Sequence, residues 1–392
     1  MDINTVRIAR ALDSLQIELP SWGFANTGTR FGKYQQAEAA TCVDDKFADA
    51  AQIHALTGAC PNLALHVEWD LPNGIADVSC IRGLEQEHGI RAGSINPNLF
   101  QRQEYKYGSI CNPDAKIRRQ AIDHLVASAQ IGRELNSRDL SLWLADGSSY
   151  PGTQSIHRRI GWMEEALTAT HAALGPDQRL LIEYKPFEPF FYHTDIADWG
   201  MAMLLARHAG PRAVVLVDTG HHYQSQNIEQ IVVWLLREGI LGGFHFNDRR
   251  YADDDLTIGS VDPYQAFRIF HEILSVSTRA SEIAYMIDQS HNLKSKIEAM
   301  VQTVCNAQDL FARAALIDCE QLAALQDECR LVEAEECLRE AFFTDVRPLV
   351  QAWRKSKGLP ADPLAALRSN GYLDKIRSQR ADANSNVGFS YA

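Results

Sequence analysis

Carboxylate and histidine side chains recur at the ends of four apolar segments in the second half of the chain. These segments end in "IEYKP", "LVDTGHH", "GGFHFND" and "MIDQSH". One residue of a metal-ligating type from each segment forms a first set, which consists of Glu183, Asp218, His245 and Asp288. A second set follows in the adjoining loops and consists of His221, Asp253 and Asp255. Carboxylates brought together repel one another unless a cation lies among them, so we predict that these seven residues hold divalent metal ions.

The types of ligand indicate which ions to expect. The first set would surround one ion and the second set another. Oxygen-rich ligation with one imidazole at each site suits Mn²⁺ or Mg²⁺, while Co²⁺ and Zn²⁺ remain alternatives. Two further histidines nearby, His222 and His291, are expected to form structural hydrogen bonds rather than to bind metal.

Eight short apolar segments must position these side chains. They alternate with segments of helical periodicity, which predicts parallel βαβ units. Eight strands over about 290 residues match a (β/α)8 TIM barrel, an α/β fold whose active site lies where the C-terminal strand ends meet. A doubly wound sheet is disfavoured because no G-x-G-x-x-G pattern follows the first strand. The predicted strands lie in residues 15–22, 62–70, 90–96, 139–146, 179–186, 213–220, 241–248 and 283–290.

The last quarter of the chain has a different character. Residues 319–353 show helical periodicity without intervening strands, and two prolines in 357–363 predict a break. We predict a barrel domain over residues 1–300 and a helical C-terminal extension over 301–392 that serves oligomerisation.

Composition excludes several partners. The 392 residues carry a net charge of −12 with a pI near 5.5, which disfavours binding to nucleic acid or to an anionic membrane. The eight cysteines form no Cys-x-x-Cys pair, and no apolar run approaches the roughly 20 residues of a membrane helix. The first residues lack the apolar core of a signal peptide. A cytoplasmic protein is expected.

Several long motifs resemble one family of sugar isomerases. "IELPSWGFANTGTRFG", "IEYKPFEPFFYHTDIADW", "VDTGHH", "FHFNDRRYADDDL" and "DQSHN" resemble L-rhamnose isomerase of the broad-specificity bacterial type, a member of the xylose-isomerase-like barrels. The resemblance extends from about residue 15 to residue 292. It implies a homotetramer that binds two divalent ions, usually Mn²⁺, at the two ligand sets given above.

The resemblance also implies roles for residues outside the ligand sets. Lys185 corresponds to a lysine that contacts the carbonyl-end oxygen of the open-chain sugar. His66 corresponds to a histidine near the ring oxygen, and Trp69 and Trp143 to apolar walls of the sugar pocket. Phe31 corresponds to an aromatic residue that completes the site of a neighbouring subunit.

These observations predict an aldose–ketose isomerase. The expected reaction converts L-rhamnose to L-rhamnulose, and related sugars such as D-allose to D-psicose, by metal-assisted hydrogen transfer between C1 and C2. Asp253 or Asp255 would steer a hydroxyl proton, and Lys185 would stabilise negative charge at O1. One alternative is a keto-sugar 3-epimerase, which needs two carboxylates facing one metal. Another is a non-catalytic sugar-binding barrel, which would have lost some of the seven ligands.

Overall fold

Eight parallel strands form the centre of the molecule. The computed structural model describes residues 3–26, 34–188, 192–251, 253–276, 282–291 and 293–385. The strands are β1 (Ile17–Pro20), β2 (Asn62–His66), β3 (Arg91–Asn96), β4 (Asp139–Leu142), β5 (Arg179–Glu183), β6 (Ala213–Asp218), β7 (Leu241–Phe246) and β8 (Ala284–Ile287).

Each strand pairs with its two neighbours along the chain, and β1 pairs with β8, so the sheet closes into a barrel. Every residue of β4, β7 and β8 is buried, which explains why these strands read as apolar runs rather than as alternating patterns. The predicted (β/α)8 fold is confirmed, and each predicted strand contains one observed strand.

Helices cover the outside of the barrel. Those before and between the strands are α1 (Ile3–Ser14), α2 (Val43–Thr57), α3 (Val78–His88), α4 (Ala115–Glu134), α5 (Ile156–Ala173), α6 (Trp199–Ala209), α7 (Ile228–Arg237) and α8 (Pro263–Ser275). Side-chain caps define several starts: Asp198, Asn227 and Asp262 each accept a backbone N–H three residues further on. None of the helices in these described ranges has the length and apolar character of a membrane span.

Six helices follow β8 in the part of the chain that the structure describes. They are α9 (Lys296–Ala314), α10 (Cys319–Asp327), α11 (Leu331–Phe343), α12 (Arg347–Ser356), α13 (Pro363–Ser369) and α14 (Tyr372–Ser385). The helical stretch predicted for 319–353 is three helices, and the predicted break at 357–363 separates α12 from α13. Helix α9 contacts α1, α2 and α8, so the predicted domain boundary at residue 300 falls inside a helix that packs on the barrel.

An apolar cluster fills the barrel between β5, β6 and β8. It consists of the buried side chains of Leu181, Leu216, Ala284 and Met286. The next inward-facing residues along β5 and β6 are the charged Glu183 and Asp218, which end their strands. The cluster therefore forms an apolar support directly beneath the predicted metal ligands.

A buried ion pair fastens the C-terminal helix to the barrel. Arg380 of α14 donates to both carboxylate oxygens of Asp49 on α2, at 2.9 and 3.1 Å, and both side chains are buried. The Tyr372 hydroxyl donates to the same carboxylate at 2.7 Å. Removing one partner of such a pair leaves an uncompensated buried charge.

Arg380→Ala is therefore expected to lower the free energy of unfolding by roughly 3–5 kcal/mol, measured by urea denaturation. Arg377→Ala is the matched control on the same helix, because the Arg377 side chain is 55% exposed and forms only long ion pairs. It should cost less than about 1 kcal/mol. Equal effects of the two variants would contradict the assigned role of Arg380.

Candidate active site

Four strand ends bring the first predicted ligand set together. Glu183 ends β5, Asp218 ends β6, His245 lies in β7 and Asp288 directly follows β8. One ligand atom from each of the four side chains lies within 4.8 Å of the others, as a metal site requires. His245 Nδ1 is 3.2 Å from Glu183 Oε2 and 3.8 Å from Asp288 Oδ2.

A second compact group consists of Asp218, His221 and Asp253. His221 lies in the turn three residues beyond Asp218, and its Nε2 is 3.9 Å from Asp218 Oδ2. The same nitrogen is 3.3 Å from Asp253 Oδ1. Asp218 belongs to both groups, so the two predicted sites share one buried carboxylate.

Asp255 is placed differently from the other predicted ligands. Its side chain does not join either compact group. Its backbone has φ +49°, a left-handed conformation that aspartate tolerates better than most residues. Burial and the charge of Asp253 raise the pKa of Asp255 well above its usual value.

The Glu183 carboxylate of the first group lies beside two imidazoles, those of His245 and His221. Burial by itself would raise the pKa of Glu183, but the charges of His245 and His221, each with a ring nitrogen 3.2 Å from the carboxylate, lower it to about 2. Burial would likewise lower the pKa of His245, but the charge of Glu183 outweighs it and raises that pKa to about 9. In the absence of a cation, protonated imidazoles therefore balance part of the acidic charge.

The balance is incomplete at Asp218. Burial raises the pKa of Asp218 to about 7, although the positive charge of His221 acts to lower it. The nearby charges of Glu183, Asp253 and Asp288 add to the effect of burial. Asn247 donates to both oxygens of the Asp218 carboxylate at 3.0 and 3.2 Å, which fixes its orientation. A bound cation would stabilise the ionised form of this carboxylate, whereas its acidic neighbours destabilise that form.

The donor set also fits a divalent ion at the level of single atoms. His245 Nδ1 is buried and has no hydrogen-bond partner among the described residues, although carboxylate oxygens surround it. Asp253 Oδ1 is also buried and has no hydrogen-bond partner among these residues. An imidazole nitrogen and carboxylate oxygens that face one another without hydrogen bonds are the atoms that a metal ion would engage.

These residues line a cavity of about 200 Å³. Of the predicted site residues, the wall includes Glu183, Lys185, His221, His245, Asp253, Asp255, Asp288, His66, Trp69 and Trp143. The predicted Phe31 lies outside the described residues. The volume is smaller than the roughly 300–1,000 Å³ typical of drug-sized ligands, so the cavity suits a small molecule.

Aromatic rings form the opposite wall. His66 and Trp69 stack with ring centroids 3.6 Å apart, and Phe100 meets Trp143 edge-on at 5.0 Å. Sequence reasoning missed Phe100, together with the cavity residues Trp22, Asn96, Pro97, Ser141 and Ser290. Trp22 and Asn96 could have been recognised from the sequence, because each lies at the C-terminal end of a predicted strand.

Trp22, which is distant in sequence, orients the predicted metal-ligating residue Asp288. Its indole N–H donates to Asp288 Oδ1 at 2.8 Å, which leaves the other carboxylate oxygen directed at His245. The expected structural role of His222 is also found: its Nε2 pairs with the Tyr184 hydroxyl at 2.6 Å.

Lys185 lies between the acidic wall and the aromatic wall. Its ammonium donates to Asp253 Oδ2 at 2.7 Å and to Glu188 Oε2 at 2.8 Å, and it lies 5.1 Å from the ring centroid of Trp143. Burial would lower the pKa of Lys185, but these two carboxylates raise it above its usual value, so the side chain is charged.

Solved structures share this architecture. The 3-keto-D-glucoside 4-epimerase of E. coli aligns with 74% of this chain and 98% of its own, with a TM-score of 0.54 at 11% identity. A protein of Sinorhizobium meliloti aligns with 76% of this chain and 98% of its own, with a TM-score of 0.53 at 15% identity. At such low identities the likeness concerns the fold alone.

Sequence relatives are more informative, although no family profile matches the chain. A probable sugar isomerase of Rhizobium meliloti is 37% identical over 388 residues, which cover 97% of this chain and 89% of the relative. A probable sugar isomerase of Mesorhizobium japonicum is 37% identical over 381 residues, covering 95% and 88%. Identity of this extent along nearly the whole length means that the chain belongs to the same family as these probable sugar isomerases.

Proposed function

We propose that the protein is a metal-dependent aldose–ketose isomerase of the L-rhamnose isomerase type. It would convert L-rhamnose to L-rhamnulose, and related sugars such as D-allose to D-psicose. The observation that carries the proposal is the pair of ligand groups that share Asp218 on the wall of a sugar-sized cavity. Membership of a sugar isomerase family is consistent with this reaction.

Two divalent ions would occupy the site. Mn²⁺ is the preferred ion, and Co²⁺, Mg²⁺ and Zn²⁺ are the alternatives. Glu183, Asp218, His245 and Asp288 would hold the first ion. His221 and Asp253, with the shared Asp218, would hold the second, and Asp255, which lines the same cavity, would join them. When bound, such ions act as Lewis acids that polarise the sugar oxygens and as a template that orients the substrate.

Lys185 would stabilise charge at the carbonyl end of the sugar. An ammonium group has three N–H donors, and two of them point at Asp253 and Glu188. The third is available to a substrate oxygen in the cavity that Lys185 lines. The carboxylates fix the ammonium in position, so little reorganisation is needed as negative charge develops at O1.

His66 would accept a hydrogen bond from the sugar. Its Nδ1 lies 2.8 Å from the carbonyl oxygen of Val67, which can only accept, so Nδ1 carries the proton. Burial lowers the pKa of His66 to about 4, so the ring is neutral at physiological pH. Its Nε2 then has a free lone pair that suits a sugar hydroxyl near the ring oxygen.

Keto-sugar 3-epimerisation is the second candidate. It is favoured by two carboxylates in the first ligand group, Glu183 and Asp288, which lie 3.2 and 3.8 Å from His245 Nδ1. Such a pair could remove a proton from one face of a ketose and return it on the other. A non-catalytic sugar-binding barrel remains the third candidate, and substrate assays separate all three.

We also propose that the protein is a homotetramer and that it is located in the cytoplasm. The helical extension over residues 301–392 would serve oligomerisation, and Phe31 would complete the site of a neighbouring subunit. Aromatic residues are enriched at interfaces between subunits, which supports a role for Phe31 in contacts between subunits.

The reaction and its metal dependence can be tested together. Exhaustively chelated protein, resupplied with one metal at a time, should isomerise L-rhamnose and D-allose with Mn²⁺ or Co²⁺ and much less with Ca²⁺, because Ca²⁺ prefers more ligands at longer distances. Product analysis by NMR distinguishes an aldose–ketose pair from a 3-epimer. Chelator-resistant activity, or 3-epimers as the main products, would refute the proposal.

The two ligand groups can be separated by substitution. Asp253→Asn should lower kcat at least roughly 100-fold, because it removes charge from the second group and the carboxylate that fixes Lys185. Glu183→Gln should also lower the metal content measured by elemental analysis. The control is Asp254→Asn, because Asp254 accepts the backbone N–H of Tyr251 and does not line the cavity. Wild-type turnover in Asp253→Asn would contradict the assigned role.

The shared site can be tested through Phe31. Phe31→Ala should raise KM severalfold while metal content and oligomeric mass stay unchanged, because the residue would contribute packing area to a neighbour's sugar. Light scattering and steady-state kinetics measure the two properties. A fully active monomer would show that each site is complete in one chain.

A further inference from the structure

Two polar side chains at the end of β4 face the cavity. Ser141 lies within β4, and Trp143 follows two residues later on the same face of the chain. Both line the cavity beside the proposed metal ligands. Ser141 is 1% exposed, so its hydroxyl group is not in contact with bulk solvent.

The polar atoms of both side chains lack partners. Ser141 Oγ and Trp143 Nε1 are buried and form no hydrogen bond with any described residue. Three other indoles differ in this respect: Trp22 donates to Asp288, Trp69 to Gln101 and Trp353 to Asp13. Buried polar groups are nearly always hydrogen-bonded, so two neighbouring exceptions inside one cavity indicate an external partner.

The surroundings of Ser141 restrict what that partner can be. Its register partner on β5 is Leu181, which belongs to the apolar cluster that fills the barrel. The Ser141 hydroxyl is therefore a polar atom beside an apolar floor. Above it, the ammonium of Lys185 lies over the Trp143 ring and helps to hold the indole in place.

We propose that Ser141 Oγ and Trp143 Nε1 form a subsite that recognises one hydroxyl group of the sugar. The pair matches a hydroxyl chemically: the indole N–H donates to its oxygen, while the serine accepts its proton or donates a second hydrogen bond. The subsite would contribute to substrate discrimination rather than to the hydrogen transfer, because a site that pairs a hydroxyl rejects analogues that lack it. This inference rests on the proposed function.

Sugar binding to the Mn²⁺-loaded protein tests the subsite. The probes are L-rhamnose, D-allose and derivatives of each that lack a single hydroxyl, with affinity measured by calorimetry and KM by kinetics. Wild-type protein should bind one derivative about tenfold more weakly than its parent sugar, as expected for one hydrogen bond. Ser141→Ala should bind the parent about tenfold more weakly and should no longer distinguish that derivative. Trp143→Phe, which keeps an aromatic ring, should cause a smaller loss of the same kind.

The control is Ser128→Ala. Ser128 is fully buried on α4, its hydroxyl donates to the carbonyl of His124, and it does not line the cavity. This variant should leave sugar affinity and discrimination unchanged. Metal content and thermal midpoint show whether Ser141→Ala remains folded and loaded.

Two kinds of failure can be told apart. If the wild-type protein isomerises these sugars but Ser141→Ala and Trp143→Phe keep wild-type affinity for every probe, the subsite is refuted and the proposed function stands. If no probe binds to wild-type protein, the proposed function fails and the subsite fails with it.

Discussion

The crowding of acidic side chains around Asp218 is the constraint on which the rest of the site depends. Asp218 is fully buried, ends β6 and belongs to both ligand groups, so its charge must be balanced from two directions. Protonated His221 and His245 supply part of that balance, and Lys185 neutralises Asp253. Since a barrel brings its C-terminal strand ends together, the fold concentrates these charges at one mouth, where a divalent ion would relieve their repulsion.

Supporting contacts reach the site from distant parts of the chain. Asp70 accepts hydrogen bonds from the Ser21 hydroxyl, the His66 backbone and the Lys46 ammonium, and so joins the ends of β1 and β2 to α2. The residue after Ser21 is Trp22, which holds Asp288. The aromatic wall and the acidic wall are therefore positioned by one connected set of buried contacts, as a preorganised site requires.

The sequence predicted the barrel and the ligand groups because both depend on local order. Apolar runs alternate with helical segments, and the last inward residues of β5 and β6, Glu183 and Asp218, are polar. Other features depend on tertiary contacts between remote segments. The bond from Trp22 to Asp288 spans 266 residues, and Ser141 is recognisable only because its neighbours in space leave its hydroxyl unpaired. The left-handed backbone at Asp255 likewise has no counterpart in the local pattern.

Anomalous diffraction from crystals soaked in Mn²⁺ would test the central claim most directly, because it locates the metal without reference to catalysis. We expect one anomalous peak among Glu183, Asp218, His245 and Asp288, at about 2.0–2.4 Å from their ligand atoms. A second peak is expected among Asp218, His221 and Asp253. Absence of both peaks in crystals that hold Mn²⁺ elsewhere, with the histidines still paired to the carboxylates, would contradict the account.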